Sequence, residues 1–323
     1  MGLRRRKQRS PGAPGAKRGV PLLLTVLAMG GSPGGGTAQS RAEGYAAAVL
    51  EAPASVEAAA YGNAPHLFGG GADLLFYSPA LIARADGLSA GMHRYGSEGT
   101  LATLAAKGAV GLGDFAVGLQ YLRYDVIGIP PTPDLQHMLV SPDGSPATEF
   151  AASLGYAREL FGLFDAGFVA KYLELQLPRG MDRAVLLDLG VAREFGPTMF
   201  SLSARNLGPD ASVRRQELKI PTQLTIGVST RRFEVGELDM FLTSQIARRR
   251  DGEIIPAGGV EISYWPVQGY TFRLRAGLQR VVEDERSPFT FGLAFTGDAL
   301  TLEYAFQAFD VDGNAHRFGL SFR

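Results

Sequence analysis

The chain has 323 residues, enough for one large domain or two ordinary ones, and it is glycine-rich (42 Gly) with charged residues at only 20%. It contains no cysteine, which excludes disulfides, thiolate-ligated metals and a cysteine nucleophile. Basic and acidic residues balance at 32 each, but seven of the basic ones (Arg4, Arg5, Arg6, Lys7, Arg9, Lys17 and Arg18) crowd the N-terminus, which has no acid beside them.

That basic region is followed by the apolar run Val20–Met29 and a small-residue tract containing Gly36 and Ala38. The order basic, apolar, small is that of a secretory signal peptide, residues 1–38, with cleavage expected near Ala38–Gln39; the apolar run is too short to span a bilayer as a helix. Without this leader the chain holds 25 basic and 32 acidic residues, a net charge of −7, which argues against a nucleic-acid partner. No later run of 18 apolar residues offers a transmembrane helix. Periplasm, exterior and outer membrane remain as destinations.

Residues 39–86 form a distinct segment. "RAEGYAAAVLEAPASVEAAA" is alanine-rich and partly helical in character, interrupted by Pro53. "YGNAPHLFGGGADLLFYSPALI" follows, apolar and glycine-rich.

From residue 87 to 323 the pattern changes to a period of two, sustained over fourteen predicted strands from Leu88–Tyr95 to Ala315–Phe322. In "YTFRLRAGLQ", Tyr270, Phe272, Leu274, Ala276 and Leu278 alternate with Thr271, Arg273, Arg275, Gly277 and Gln279. "PFTFGLAFT" sets Phe289, Phe291, Leu293 and Phe295 against Thr290, Gly292, Ala294 and Thr296; the last strand sets Phe318, Leu320 and Phe322 against Arg317, Gly319 and Ser321. Many strands reach the ~10 residues that a tilted strand needs to cross a bilayer. The polar faces carry small residues and isolated charges rather than the Lys and Glu of a solvated face.

A two-sheet sandwich also alternates, so loop length decides. Even-numbered connections are tight ("GLG" near Gly111, "FGP" at Phe195, "FEV" at Phe233, "PVQ" at Pro266, "GD" at Gly297). The odd-numbered ones are mostly longer or more charged, including "VIGIPPTPDLQHMLVSPDGSP" and "LGPDASVRRQELK". Such parity is expected of an all-β, transmembrane antiparallel β-barrel with about 14 strands and short turns at one end. Tyr121, Tyr124, Tyr172, Tyr264, Trp265 and Tyr270, near strand termini, read as interfacial girdles.

A barrel this wide leaves an interior that its own side chains do not fill, so residues 39–86 are expected to serve as an N-terminal plug. The candidates for plug or gate are Leu67, Phe68, Gly69, Gly70, Gly71, Phe76, Tyr77, Ser78 and Pro79. Charges on the polar faces are the lumenal candidates: Asp165, Lys171, Asp188, Arg205, Glu261, Arg273, Arg275, Glu303 and Arg317. Buried charges must pair or stay hydrated, and Glu303 with Arg317, or Glu261 with Arg273 or Arg275, lie on neighbouring strands. They either hold barrel and plug together or line a polar route.

Several of these stretches resemble the long-chain fatty-acid transporter (FadL) superfamily and the related PorV/PorQ-like outer-membrane proteins. "GGGADLLFYSPALI" resembles their glycine-rich N-terminal segment, "SLSARNLGPD" a strand ending in Asn-Leu-Gly, and "LKIPTQLTIGVS" the Leu-Pro-led strand after it. "GGVEISYW…FRLRAGLQ" and "LTLEYAFQ…HRFGLSFR" resemble their paired strands and closing hairpin. Ser78 departs from the Asn usual in the family, Leu81 from a frequent Gly, and Phe322-Arg323 from a terminal aromatic. The resemblance implies uptake or binding of small hydrophobic molecules at the outer membrane. Its PorV-like branch implies instead a non-transporting partner in protein secretion or cargo shuttling, and a soluble periplasmic β protein is the third reading. The implied partners are outer-membrane lipid and lipopolysaccharide, an apolar small molecule, or secretion-system or cargo proteins.

Catalysis is not expected. His66, His93, His137 and His316 lack metal-site spacing, and no HExxH or Ser/His/Asp signature occurs, so neither a metal nor a cofactor is assigned. "DVDGN" at Asp310–Asn314 looks like the start of a calcium loop but lacks the later Glu, and reads better as a hairpin turn. Arg248, Arg249 and Arg250 offer a loop contact to lipopolysaccharide phosphates, against the plainer reading of a solvated loop.

Overall fold

The computed structural model describes residues 47–96, 99–124, 146–177, 180–213, 216–281, 286–309 and 313–323. The expected signal peptide, the long connection 125–145 and the Asp310–Asp312 part of "DVDGN" lie outside the described residues.

The period-two segments form fourteen antiparallel strands: β1 Leu88–Tyr95, β2 Gly99–Val110, β3 Gly113–Tyr124, β4 Ala147–Leu160, β5 Phe164–Leu177, β6 Gly180–Phe195, β7 Thr198–Leu207, β8 Gln223–Thr230, β9 Leu238–Arg249, β10 Ile254–Val267, β11 Tyr270–Gln279, β12 Arg286–Thr296, β13 Leu300–Phe309 and β14 Ala315–Phe322. Each pairs with its neighbours in sequence, β8 with β9 included. The barrel closes where β14 meets β1, with Phe318 opposite Met92 and Arg317 opposite His93. Closure removes every open sheet edge, which a chain surrounded by hydrocarbon requires because nothing else there can satisfy backbone N–H and C=O groups.

Alternation fixes which face looks where. On β14 Phe318 is 58% exposed while Arg317 is 1% exposed. The same inversion holds along β5, where Phe168 and Tyr172 are exposed and Val169 and Lys171 are buried. Phe272, Phe289, Phe291, Leu293, Leu302 and Leu320 all face out, together forming an apolar belt far larger than a soluble monomer exposes. The fold is a transmembrane β-barrel whose oil faces outward.

Short turns gather at one end, the end that also holds the start of β1 and the finish of β14. The turn at Phe195–Thr198 is tight enough to require Gly196 in the left-handed region, φ 58°. The opposite, loop end receives the connection β7–β8, whose small hairpin (Ala211–Val213 with Gln216–Leu218) folds back so that Ala211, Leu218 and Ile220 are buried. The eighth strand begins only at Gln223, because Ile220 before it packs inward as part of this cap rather than joining the ladder.

The described part of the N-terminal segment, residues 47–86, packs against inward-facing residues of the barrel. It contains helix α1 (Ala48–Glu51), helix α2 (Val56–Ala60) and two 3-10 turns, Ala72–Phe76 and Pro79–Arg84. Ser55 caps α2, its hydroxyl accepting from Ala58 N–H at 3.2 Å. Pro79 opens the second turn, where its missing N–H costs nothing. Gly70–Gly71 and Ala85–Asp86 pair as a two-residue parallel ribbon that brings the segment's two halves together.

Glycine lets the segment lie against the wall. Inward positions Gly118, Gly155, Gly167, Gly190, Gly259, Gly277 and Gly292 face it, and a Cβ there would collide with its atoms; at Gly319 a Cβ would crowd Val56 at 3.1 Å. At the crossing with β11, Gly62 (φ 68°) rests against the Leu278 backbone, so both conformation and contact demand glycine.

Candidate functional site

The inner wall is zoned along its height. Toward the loop end Leu101, Leu122, Leu173, Leu175, Leu177, Leu186 and Ile220 point inward and form one apolar cluster with Val49 and Leu50 of α1. Along β5 the inward positions run Asp165, Gly167, Val169, Lys171, Leu173, Leu175, Leu177 from the turn end to the loop end, polar giving way to apolar. One carboxylate interrupts the apolar zone. Glu149 accepts from Val49 N–H (2.7 Å) and from the Tyr124 hydroxyl (2.9 Å), and Gln120 donates to Val49 C=O (2.9 Å). Tyr124 thus faces the lumen rather than the interface, a correction to its assignment as a girdle residue; Tyr121, Tyr172, Tyr264, Trp265 and Tyr270 remain on the outer face.

Toward the turn end the wall is charged. Arg275, 1% exposed, contacts three carboxylates: Glu261 (2.9 Å), Glu303 (2.6 Å) and Glu57 of α2 (3.0 Å). Glu261 is also reached by Arg232 (2.8 Å) and Arg273 (3.7 Å) and accepts a short hydrogen bond from Tyr61 of the segment. Burial raises the Tyr61 hydroxyl well above its usual value, a rise opposed by the charge on Arg275 and reinforced by Glu261. The expected pair Glu303–Arg317 does not form. Glu303 is opposite Gly319 in the register, and Arg275 reaches it from two strands away, across the small residues Gly292 and Ala294 of β12.

Two further clusters tie the segment to the wall. Lys171 and Asp188 pair at 2.6 Å, both buried; Asp188 also accepts from Asn206 N–H (2.7 Å), and Lys171 donates to the Asn206 side chain (2.9 Å). Beside them Arg205 donates to Phe76 C=O (2.7 Å) and lies over the Tyr77 ring. Near the turns Asp165 accepts from Arg84 of the segment at 2.6 Å, and Glu194 bridges Arg84 and Arg231.

The plug candidates fall along this contact line. Leu67 N–H donates to Ser229, Phe68 lies under the Arg231 guanidinium, Tyr77 donates to Asn63, and Ser78 abuts Gly190. Gly69, Gly70 and Gly71 border a polar cavity of about 490 Å³ at the turn end, lined also by His66, Arg84, Arg232 and Arg275. Burial, helped by the nearby Arg232 charge, lowers His66 to about 4; burial, helped by Glu303, lifts Asp73 to about 7. The nine lumenal candidates all point inward: Asp165, Lys171, Asp188, Arg205, Glu261, Arg275 and Arg317 are buried, Arg273 and Glu303 partly so. In the loop Arg248–Arg250, Arg249 pairs with Glu51 and Asp251, and Arg250 with Asp210, while Arg248 and Arg250 stay exposed as a solvated loop would have them.

Sequence reasoning missed Glu57, Tyr61, Arg84 and Glu149, each of which joins the segment to the wall. The inward glycines were the signal that could have located this contact, since one small residue recurs at the matching position on strand after strand.

These features define a class: a closed fourteen-stranded transmembrane barrel with a segment of its own chain bonded to the inner wall. No protein-family model matches the sequence, and no curated protein matches it. Among solved structures it is similar to the Pseudomonas putida toluene transporter TodX, with a TM-score of 0.52 and 11% identity, over 81% of this chain and 95% of that one. The Ralstonia pickettii toluene transporter TbuX gives a TM-score of 0.48 and 12% identity, over 84% and 98%. At such identities the likeness to TodX is one of fold.

Proposed function

We propose that this protein is an outer-membrane channel for small hydrophobic molecules, with residues 47–86 as its plug. The apolar zone inside the loop end carries the reading: a lumen meant for water and ions is lined with polar groups, whereas here seven aliphatic side chains close on Val49 and Leu50. An apolar solute arriving at the loop end finds a compatible surface there and advances when α1 yields. The charged zone below it holds Glu57, Tyr61 and Arg84 of the segment, so passage to the turn end requires those contacts to open. TodX is a toluene transporter, which makes monoaromatic hydrocarbons the natural first solutes.

The test compares toluene uptake with sugar-driven liposome swelling in vesicles carrying the purified barrel. The proposal expects toluene equilibration to accelerate with barrel content and sugars to cause no swelling. Swelling with sugars would make it a water-filled pore. An inert barrel isolated with a stoichiometric protein partner would favour the PorV-like role in secretion.

A further inference from the structure

The seam between β14 and β1 holds a concentration of buried polar atoms that make no hydrogen bond among the described residues. Arg317 and His93 are opposite each other, both inward, at 1% and 0% exposure. Arg317 Nη2 donates to Gln307 (3.0 Å), but its Nε and Nη1, both ring nitrogens of His93 and the Tyr95 hydroxyl have no hydrogen-bond partner among the described residues. The guanidinium lies 5.4 Å from the centre of the Tyr95 ring, so the three side chains are one cluster. They supply five of the buried side-chain nitrogen and oxygen atoms that make no hydrogen bond among the described residues.

The other two buried arginines of the wall have carboxylates near them: Arg275 contacts three, and Arg205, whose Nε is also without a hydrogen bond, has Asp188 close by in addition to a backbone carbonyl. No ion pair reaches Arg317 among the described residues. A guanidinium withdrawn from water with no counter-charge is costly, and such an arrangement is relieved when an anion completes it.

We infer that Arg317, His93 and Tyr95 form an anion-binding subsite at the barrel seam, for a carboxylate or a small inorganic anion. Arg317 presents two unused donor groups, the Tyr95 hydroxyl a third, and the protonated nitrogen of His93 a fourth. Tyr95 also packs against the apolar cluster of α1. A carboxylate bound here would therefore carry its apolar body along Val49, Leu50 and Leu101. The site adds a polar anchor to the apolar route proposed above, and it is read by binding to the purified barrel, so its failure and a failure of uptake are separate results.

The experiment titrates full-length barrel in non-ionic detergent with benzoate, chloride and toluene, following thermal midpoint and calorimetric binding. Benzoate is expected to raise the midpoint saturably. Arg317→Met is expected to weaken benzoate binding about 10- to 100-fold, as loss of a charge-assisted hydrogen bond does, while toluene binding stays at the wild-type level. Without anion the Arg317→Met barrel should melt no lower than wild type, because the variant removes an uncompensated charge; a merely structural arginine would give the opposite sign. If that variant does not fold, Arg317→Lys and Tyr95→Phe supply the comparison, each expected to bind benzoate more weakly. Stabilisation by chloride alone, lost in Arg317→Met, assigns the subsite to inorganic anions. The inference is overturned if neither anion shifts the wild-type midpoint, or if Arg317→Met lowers it and binds benzoate as before.

Discussion

Arg275→Met is the perturbation that most directly probes how the lumenal segment is held. Arg275 lies at the centre of three contacts of 2.6–3.0 Å, one to Glu57 of α2 and two to the wall residues Glu261 and Glu303. Its removal leaves Glu57 and Glu303 without their closest cation at the edge of the polar cavity; Glu261 keeps Arg232 and Arg273. Breaking a buried ion pair from one side costs about 3–5 kcal/mol. Because Glu57 belongs to the segment and the barrel ladder is untouched, most of that cost should appear as easier detachment of α2 rather than as unfolding of the barrel. At 1.4 kcal/mol per factor of ten, the Val56–Gly62 amides should exchange about 100-fold faster or more, while those of β5 keep their wild-type rates. Hydrogen exchange by mass spectrometry reads both regions at once. A double cycle with Glu57→Gln then isolates the single contact across the interface. Unchanged exchange in α2, or equal acceleration in α2 and β5, would refute the idea of a separately latched segment.

Other expectations follow from the same structure. Asp73, lifted to about 7 from an ordinary 3.8, contributes stability that is full below pH 4 and is lost as pH rises to 7; His66, lowered to about 4, contributes stability that is full above pH 6.5 and is lost as pH falls to 4. The two slopes oppose each other between pH 4 and 6.5, so Asp73→Asn should unmask a rise with pH and His66→Gln a fall, both visible in exchange of the Ala72–Phe76 amides after correction for intrinsic rates. Gly277→Ala would drive its methyl into the Tyr61–Gly62 backbone and should cost about 1–3 kcal/mol, measured as a lower urea midpoint for release of the segment. Leu293→Arg, on the outer face, should cost about 2–4 kcal/mol of barrel stability if it sits near the bilayer midplane, measured by reversible folding into liposomes.

The strands were legible because a closed barrel in a membrane obeys one rule along its whole length. Oil faces out, so Phe291 and Phe318 announce their orientation without knowledge of any neighbour. Loop parity then reported at which end of the barrel each connection lies, and the nine lumenal charges followed from alternation alone. Pairing was not legible. Glu303 meets Arg275 instead of Arg317 because a long side chain crosses an intervening strand at Gly292, and strand adjacency carries no information on such a reach. Nor could alternation reveal Glu57 or Tyr61, whose positions depend on how an irregular segment lies in three dimensions. Arg317, which strand adjacency offered to Glu303, makes no ion pair among the described residues.

The claim at the centre of the account is that residues 47–86 must move for an apolar molecule to pass. The chain has no cysteine, so one engineered bridge can test it cleanly. The Ser78 hydroxyl lies 2.8 Å from where a Cβ on Gly190 would stand, with Pro79 Cδ at 2.9 Å, so the pair is near enough to bridge after a small shift of the segment, and the reduced double-cysteine barrel is the reference for that shift. Cysteines at positions 78 and 190 would therefore join segment to wall when oxidised. Toluene uptake into vesicles carrying this barrel should stop on oxidation and return on reduction. Equal uptake in both states, with the bridge shown to be complete, would contradict the account.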